Sequence, residues 1–332
     1  MPVGMIVRAD QGGLAAQTWE MARHVPSWKI LVIDLGHRGR GVSRPERFQG
    51  LAPHVRVCHG NPPETDLAWL CDGVRSVYTA EGTYGDRLPY IAAMVGVRLV
   101  IHANPELWCE RSRDATTRVV LPTHWETHRV PAATIMPMPV DRDRVEFSHR
   151  RHVRTFWHPG APAMEDRNGT RLVLDALPHV EEDCTVILTG TGRTGHERIG
   201  RVNVEHRGER EHYWQGYADA DAMLLPRRYG GLSLPVQEAL SAGMPVVMLE
   251  TGPYAGVPGV VTIPTTSHYD FPMKGGIFPI WDGSPMALAA AMDALVRDPD
   301  RVARLSDAAD AHAATLDWAV WERPWRDLLE SA

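Results

Sequence analysis

The segment PRRYGGLSLPVQEALSAGMPVV (226–247) contains residue types that together could bind a phosphate and a sugar. Small residues at Gly230, Gly231 and Ser233 precede a proline, which is favoured at the first position of a helix. The N–H groups at a helix N-terminus bind anions, and small residues allow a phosphate to approach the backbone. Glu238 follows in the predicted first turn, where the helix dipole favours a carboxylate. The segment therefore predicts a phosphate and sugar site, with a tight turn and a dipole-stabilising glutamate as the simpler alternative.

Short apolar runs alternate with helical patterns through the first half of the sequence. Strands are predicted at 4–10, 29–36, 55–60, 76–81, 97–103 and 117–122, and helices at 14–25, 64–73 and 86–96. Continuous apolar strands that alternate with helices are typical of a parallel sheet covered on both faces.

The same alternation restarts after a proline-rich segment (134–143) that is typical of an inter-domain link. Strands are predicted at 153–160, 184–192, 202–206, 221–226 and 244–250, and helices at 169–180, at 209–220, from Pro235 and in the C-terminal tail. Two successive α/β units of about 150 residues fit two doubly wound, Rossmann-like domains that face a cleft. Ligands of such sheets bind at the carboxyl ends of the strands.

The composition is that of a globular protein without the charge of a nucleic-acid-binding protein. The chain has 332 residues, of which 44% are hydrophobic and 23% charged, and its net charge is −6. An acidic protein is not, as a whole, an electrostatic match for nucleic acid. The four cysteines are far apart and form no C-x-x-C pair, so neither a disulfide framework nor a zinc site is expected. Neither a signal peptide nor a membrane-spanning run is recognisable, so we predict a cytoplasmic protein.

The segment from Ala220 to Val247 resembles the donor-binding segment of family 4 retaining glycosyltransferases, which have the GT-B fold. The family pattern is A-D-x-x-x-x-P-S-R-x-E-G-F-G-L-P-x-x-E-A-x-A-x-G-x-P-V-V, and the sequence follows it without a gap. Further similar segments are QGGLAAQTWEMA (11–22), MPMPVD (136–141), RNGTRLVLDAL (167–177), TGTG (189–192) and DWAVWERPWRDLLE (317–330). The resemblance thus covers nearly the whole chain.

This resemblance implies an architecture and an activity. It implies an acceptor-side Rossmann-like domain at 1–142, a nucleotide-sugar-binding domain at 143–315 and a C-terminal helix at 316–332 that crosses back to the first domain. The activity implied is transfer of a sugar, with retention, from a nucleotide-diphosphate sugar (a UDP- or GDP-sugar) to a hydroxyl acceptor. No cofactor and no metal are expected.

The resemblance also implies donor-binding residues. They are Gly13, Arg167, Asn168, Arg228, Gly231, Leu232, Ser233 and Glu238. Glu238 would hold the ribose hydroxyls, while Arg167 with Arg228 would stabilise the departing diphosphate.

Departures from the family at three positions bear on the donor site. Asn168 stands where the family has a lysine, and Arg227 is an additional candidate for the diphosphate. Gly230 stands where the family has a glutamate near the transferred sugar, which leaves sugar recognition open.

Three D-x-D pairs could suggest a metal site. One pair borders a buried strand and the other two fall in linkers, so a metal is not expected there. The pairs are Asp141/Asp143, Asp219/Asp221 and Asp298/Asp300.

Candidate catalytic and acceptor residues follow strands of the first domain. His102 and Asn104, in HANPE (102–106), are both candidates for the residue near the sugar, although His102 could equally be a buried core histidine. Glu81 is a candidate base for the acceptor. Thr123 and His124 follow the next strand and are predicted to bind the acceptor.

An arginine-rich segment, GHRGRGVSRPERFQG (36–50), follows the second strand. A solvated charged face is one interpretation. The other is that Arg38 and Arg40 bind an acceptor with phosphates, such as a nucleic-acid backbone. A phage enzyme that glycosylates hydroxymethylated DNA bases would need such a surface and would flip the base out. The segments RNGT and PRRYGGLSLP match the family motifs only loosely, which favours a phage-encoded protein acting in the host cytoplasm.

Other functions stay open from the sequence. The acceptor could instead be a protein, a glycan or a small molecule. A nucleotide-sugar epimerase of the same fold and a non-catalytic relative that only binds are alternatives of other classes. No oligomeric state is predicted.

Overall fold

The computed structural model describes residues 2–36, 41–84, 87–108, 117–160, 164–208 and 214–331. The chain forms two compact units, Met1–Pro139 with Trp318–Ala332, and Val140–Asp317. None of the helices within the described ranges has the length and apolar character needed to cross a membrane.

The first unit is built on a seven-stranded parallel sheet in the order β3-β2-β1-β4-β5-β6-β7. Its strands are β1 (Val3–Arg8), β2 (Lys29–Asp34), β3 (His54–His59), β4 (Ser76–Ala80), β5 (Arg98–His102), β6 (Thr117–Leu121) and β7 (Thr134–Ile135). Its helices are α1 (Gly13–His24), α2 (Glu64–Cys71) and α3 (Arg87–Met94). The strand order reverses between β1 and β4, which is where ligands bind in such sheets.

The second unit is built on another seven-stranded sheet, in the order β10-β11-β9-β8-β12-β13-β14. Its strands are β8 (Thr155–Pro159), β9 (Cys184–Thr189), β10 (Gly195–Ile199), β11 (Val202–Arg207), β12 (Ala222–Leu224), β13 (Val246–Leu249) and β14 (Val260–Ile263). Among the strands that the structure describes in this sheet, only β10 runs antiparallel to its neighbour. The helices are α4 (Thr170–Ala176), α5 (Gln215–Asp219), α6 (Leu234–Ser241), α7 (Pro285–Arg297) and α8 (Pro299–Ala314). The order reverses between β8 and β12, so the switch point lies next to the loop that precedes α6.

The last helix, α9 (Trp318–Glu330), belongs to the first unit. Trp325 is fully buried, its ring meets Tyr78 edge-on at 5.9 Å, and its indole N–H donates to Pro137 O at 3.1 Å. The Ser76 hydroxyl donates to Leu329 O at 2.6 Å. These contacts hold the helix on β4, at the centre of the sheet.

Part of the second unit was not predicted from the sequence. The missing elements are β10, β14, α7 and the antiparallel hairpin of β15 (Thr265–Met273) and β16 (Gly276–Gly283). The predicted helix 169–180 ends at Ala176 and continues as a 3-10 turn, Leu177–His179. The predicted helix 209–220 is described only from residue 214 and forms α5.

Short 3-10 helices complete the described structure. Besides Leu177–His179 they are Pro45–Phe48, Pro105–Leu107, Thr127–Arg129, Met164–Asp166 and Gly252–Tyr254. Cys58, Cys71 and Cys184 are buried thiols without a disulfide, while Cys109 lies outside the described residues.

Candidate functional site

The loop between β12 and α6 brings two arginines to Gly230. Gly230 has φ +103°, a backbone conformation that glycine adopts without strain. A Cβ at this position would contact Arg167 Nη2 and lie 2.7 Å from Arg227 Nη2. Both the backbone conformation and the space therefore require glycine, and two guanidinium groups occupy the place where a side chain would lie.

Tyr229 positions both of these guanidinium groups. Arg227 is buried, with 7% of its surface exposed, and its Nε donates to Tyr229 O at 2.9 Å. The guanidinium of Arg167 lies over the Tyr229 ring, 5.2 Å from the ring centre. The Tyr229 hydroxyl donates to Met164 O at 2.7 Å. The tyrosine thus fixes a pair of positive charges at the carboxyl end of β12.

The predicted segment 167–169 lies against the same loop. Arg228 N donates to Arg167 O at 3.0 Å, and Asn168 Nδ2 donates to Pro159 O at 3.1 Å. Gly169 has φ +72°, and a Cβ there would clash with Pro226 O. Glycine at 169 therefore permits the close approach that places Arg167 beside Gly230.

Arg228 has a different environment from its two neighbours. Its guanidinium donates to Trp281 O at 3.0 Å, to Glu165 O at 2.6 Å and to Asp282 Oδ1 at 2.7 Å. These bonds join the loop to β16 and to the turn at 164–166. The placement favours a positioning role for Arg228, whereas the sequence predicted that it binds the diphosphate.

One backbone N–H at the N-terminus of α6 already donates a hydrogen bond within the protein. Ser233 N donates to the Tyr254 hydroxyl at 2.6 Å. Burial raises the pKa of Tyr254, so the phenol is neutral near pH 7. The Ser233 side chain is 1% exposed, and its hydroxyl oxygen has no hydrogen-bond partner among the residues that the structure describes. Gly231 and Leu232 are buried in the same loop.

Glu238 is buried within α6 and is bonded through both carboxylate oxygens. Its residue is 2% exposed, Oε1 accepts from Arg144 Nη2 at 2.7 Å, and Oε2 accepts from the Tyr217 hydroxyl at 2.7 Å. The prediction that Glu238 lies in the first turn is wrong, because α6 begins at Leu234 and has no acidic residue in its first turn. Its carboxylate is stabilised by Arg144 and Tyr217 rather than by the helix N-terminus.

His102 lies in the core of the first unit. It is 1% exposed, and its Nδ1 lies 2.7 Å from Gln17 Nε2 and 3.2 Å from the Tyr78 hydroxyl. Its ring packs against Trp325 with the ring centres 5.0 Å apart. Burial lowers the pKa of His102 to about 3, so the imidazole is neutral near pH 7. These contacts match the buried core histidine that was one of the two interpretations.

Asn104 and Glu81, predicted separately, contact each other. Asn104 is buried and its Nδ2 donates to Glu81 Oε1. Glu81 follows β4 with φ +58°, a strained conformation for a residue other than glycine. Strain of this kind is found most often at functional sites.

The remaining predicted residues of the first unit lie at the ends of β1 and β6. Gly13 is the first residue of α1, and a Cβ there would meet no described atom within 4 Å. The Thr123 hydroxyl accepts from Trp125 N at 3.3 Å, and His124 is exposed. Arg38 and Arg40 lie outside the described residues.

Arg47, in the same arginine-rich segment, is a structural residue. Its Nη2 donates to Arg8 O at 2.9 Å, and its guanidinium lies 4.8 Å from the centre of the Trp19 ring. Burial lowers its pKa. Part of this segment therefore supports the fold.

Three of the D-x-D carboxylates accept backbone hydrogen bonds. Asp141 accepts from Asp143 N at 3.1 Å, and Asp298 caps α8 by accepting from Arg301 N at 2.8 Å. Asp221 accepts from Thr155 N at 2.9 Å. Asp141 is thus a turn residue and Asp298 a cap residue, while Asp221 joins the start of β12 to the start of β8.

Comparison with known proteins shows which family the sequence of the second unit resembles. Residues 155–298, which include α4, the 226–233 loop and α6, match the family described as "Glycosyl transferases group 1". No protein of curated function matches the sequence. The family match thus lies within the second unit, and the predicted enzyme class, a glycosyltransferase, is confirmed at that level.

Solved structures of similar fold cover the whole chain. HepE from Anabaena, in complex with UDP and glucose, has a TM-score of 0.74 and 15% identity over 100% of both chains. A glycosyltransferase from Rickettsia africae has a TM-score of 0.71 and 10% identity over 99% of this chain and 98% of its own. Sucrose-phosphate synthase from Thermosynechococcus elongatus has a TM-score of 0.67 and 12% identity over 100% of both. At such low identity the likeness concerns the fold alone, and the predicted α/β fold of the GT-B class, with two Rossmann-like domains, is confirmed.

Three residues of the site were missed by the sequence analysis. Arg144 and Tyr217 bond to Glu238, and Tyr254 bonds to the residue before α6. They come from separate segments, so no spacing in the sequence connects them with 226–247.

Proposed function

We propose that the protein is a retaining glycosyltransferase that moves a sugar from a nucleotide-diphosphate sugar to a hydroxyl acceptor. UDP is the favoured nucleotide, because HepE has been crystallised with UDP-glucose. The observation that carries the proposal is the placement of Arg167, Arg227 and Glu238 around the loop and helix that follow β12, within the matched family region.

The chemistry needs positive charge beside the leaving diphosphate. When the bond between the sugar and the phosphate breaks, negative charge grows on the phosphate and positive charge on the sugar ring. A guanidinium donates two parallel hydrogen bonds to phosphate and is always charged. Arg167 is the residue that we assign to the diphosphate, with the backbone of Gly231, Leu232 and Ser233 beside it. Preorganised donors of this type stabilise the transition state without reorganisation.

The ribose is assigned to Glu238. A carboxylate is an acceptor only, and its two oxygens offer about four lone-pair sites in total. Arg144 and Tyr217 occupy one site on each oxygen. We assign these two as positioning residues that hold the buried carboxylate in the orientation in which it accepts from ribose hydroxyls.

The acceptor hydroxyl needs a base, and the pair of Asn104 and Glu81 is our candidate. The amide of Asn104 donates to one oxygen of Glu81. The carboxylate of Glu81 is the group assigned to the acceptor proton. His102 is the weaker candidate, because its buried, neutral ring packs in the core. Gly13, Asn168, Thr123 and His124 keep their predicted donor and acceptor roles.

The function is tested by a donor panel read by mass spectrometry. UDP- and GDP-sugars are incubated with the full-length chain and with hydroxymethylated DNA, cell-extract proteins and glycans as acceptors. A product heavier than an acceptor by one sugar residue is the expected result. Epimerised donor without transfer would identify an epimerase, and bound but unchanged donor would identify a non-catalytic relative. The DNA acceptor, the phage origin and the cytoplasmic location stay predictions.

A further inference from the structure

The turn Met164–Asp166, directly before Arg167, has a strained backbone. Glu165 has φ 54° and ψ 36°, and Asp166 has φ 47°. In this left-handed region the Cβ of an L-residue lies too close to the following carbonyl oxygen, which costs energy at each of the two positions. Such a conformation persists only where the surrounding structure fixes it. The contacts of this turn therefore set the direction in which the chain continues into Arg167.

Two side chains of the 226–233 loop bond to the main chain of the turn. The Tyr229 hydroxyl donates to Met164 O at 2.7 Å, and Arg228 Nη1 donates to Glu165 O at 2.6 Å. The ring of the same tyrosine lies 5.2 Å from the guanidinium carbon of Arg167. Arg228 N also donates to Arg167 O at 3.0 Å. The turn and Arg167 therefore contact the same two residues of the loop, so that a shift of the turn displaces the arginine.

A further contact of the turn comes from the hairpin of β15 and β16. The Tyr269 hydroxyl donates to Glu165 Oε2 at 2.6 Å, and the Tyr269 ring centre lies 5.6 Å from the guanidinium carbon of Arg228. The hydrogen bond to Glu165 raises the pKa of Tyr269, so the phenol keeps its proton near pH 7. Although 40% of Tyr269 is exposed, the residue contacts both the turn and the loop.

The hairpin is a firm support for this contact. Ile280, the cross-strand partner of Tyr269, is fully buried. Trp281 N donates to Arg228 O at 3.1 Å, and Arg228 Nε donates back to Trp281 O at 3.0 Å. Because the backbone of the hairpin is bonded to the loop in this way, the Tyr269 hydroxyl holds the turn at a fixed distance from the loop.

We propose that Tyr269 is a positioning residue for the donor diphosphate, because its hydrogen bond to Glu165 keeps the strained turn in the conformation that orients Arg167. The inference rests on the proposed glycosyltransferase function, in which Arg167 binds the diphosphate. Without the Tyr269 hydroxyl the turn relaxes towards an unstrained backbone, and Arg167 moves with it. Donor binding must then restore the strained turn without the bond that held it, so the affinity for the donor falls.

The test measures the affinity for UDP by calorimetry in variants that remove or keep this hydrogen bond. Tyr269→Phe keeps the ring beside Arg228 and loses the hydroxyl, so the affinity is expected to fall about 3- to 10-fold, the equivalent of one net hydrogen bond. Glu165→Ala should lose as much, because it removes the acceptor. Glu165→Gln keeps an acceptor oxygen for the phenol, so it should retain most of the affinity.

A double-mutant cycle shows whether Tyr269 acts through Arg167. In an Arg167→Gln background, Tyr269→Phe is expected to have almost no further effect on UDP affinity, because the group that it positions is absent. Tyr90→Phe is the matched control, since it removes the hydroxyl of a tyrosine of α3 that is 68% exposed, and it should bind UDP as wild type does. Melting temperatures of all variants are measured, and the single variants decide the question where Arg167→Gln binds too weakly to measure.

Four results would overturn the inference. If UDP affinity in Tyr269→Phe stays within about twofold of wild type, whatever its melting temperature, Tyr269 is a structural residue alone and the proposed function stays intact. Equal losses in Glu165→Gln and Glu165→Ala would trace the effect to the charge of Glu165 and not to the bond. An equal effect of Tyr269→Phe with and without Arg167 would show that it acts on the donor by another route. Failure of the wild-type chain to bind any UDP- or GDP-linked ligand would refute the proposed function and, with it, this inference.

Discussion

The ion pair between Arg144 and Glu238 allows a quantitative prediction. The two side chains are 15% and 3% exposed, and their charged atoms are 2.7 Å apart. Arg144→Met removes the guanidinium and keeps an apolar stem of similar length. Glu238 is then a buried carboxylate that has lost its arginine and still accepts from the Tyr217 hydroxyl. Removing one partner of a buried pair costs about 3–5 kcal/mol. Because Arg144 is partly exposed, we expect the lower value, about 3 kcal/mol.

Calorimetry measures this loss as a change in melting temperature. For a domain of about 150–250 residues, 1 kcal/mol corresponds to about 2–4 °C, so the second unit should melt about 6–12 °C lower in Arg144→Met. Glu238→Gln should also lower the melting temperature, because it leaves Arg144 beside a neutral amide. The double variant should be less destabilised than the sum of the single ones by about 2 kcal/mol, since the pair is already broken in each.

Additive behaviour would refute this reasoning. If the double variant equals the sum of the single variants within about 0.5 kcal/mol, the two residues do not interact. A fall of less than about 2 °C in Arg144→Met would also contradict it, because that is the effect of an exposed pair. The matched control is Arg171→Met, which removes an exposed arginine that pairs with Asp175 at 3.6 Å and should leave the melting temperature almost unchanged.

Two further predictions concern His102 and Gly230. The pKa of His102 is about 3 in the folded protein and 6.5 in the unfolded chain. Above pH 6.5 the imidazole is neutral in both states. Below pH 6.5 the unfolded chain binds a proton that the folded protein does not, so the free energy of unfolding falls. This loss is about 1.4 kcal/mol per pH unit, and melting curves of His102→Gln between pH 6.5 and 4.5 should therefore depend less on pH than those of wild type; parallel curves would contradict the burial argument. Gly230→Ala combines a φ of +103° with a clash against Arg227, so it should be more destabilising than Gly200→Ala, where φ is +58° and the nearest atom is 3.8 Å away. We expect about 1 kcal/mol for Gly200→Ala and at least about twice that for Gly230→Ala in calorimetry, and equal losses would show that the arginines do not fill the site.

The parallel strands could be predicted from the sequence because they are buried on both faces. KILVID at β2 and SVYTA at β4 are continuous buried runs, and their predicted bounds lie within two residues of the structure. The hairpin of β15 and β16 could not be predicted in this way. TTSHYDFPM is largely exposed, polar and interrupted by a proline, so it has none of the periodicity that indicates a strand.

The local part of the site was predictable for a similar reason. The small residues, the proline and the start of the helix all lie within one continuous segment. Their arrangement can therefore be recognised directly in the sequence 226–247. Arg227 was only an additional candidate, because neither its burial nor its approach to Gly230 is encoded in local spacing. The side chains that donate hydrogen bonds to Glu238 come from the segment after the inter-domain link and from α5, and only the fold brings them together.

The central claim is that the loop before α6 and Glu238 bind the nucleotide part of a sugar donor. The direct test is a calorimetric titration of UDP into the wild-type chain and into Glu238→Ala, with Glu238→Gln as the variant of similar size. Loss of hydrogen bonds to a charged group costs about 1.5–3 kcal/mol, so the affinity for UDP should fall by about 10- to 100-fold in Glu238→Ala. Unchanged affinity in a variant that still melts cooperatively would contradict the assignment of the ribose to Glu238 and the account built on it.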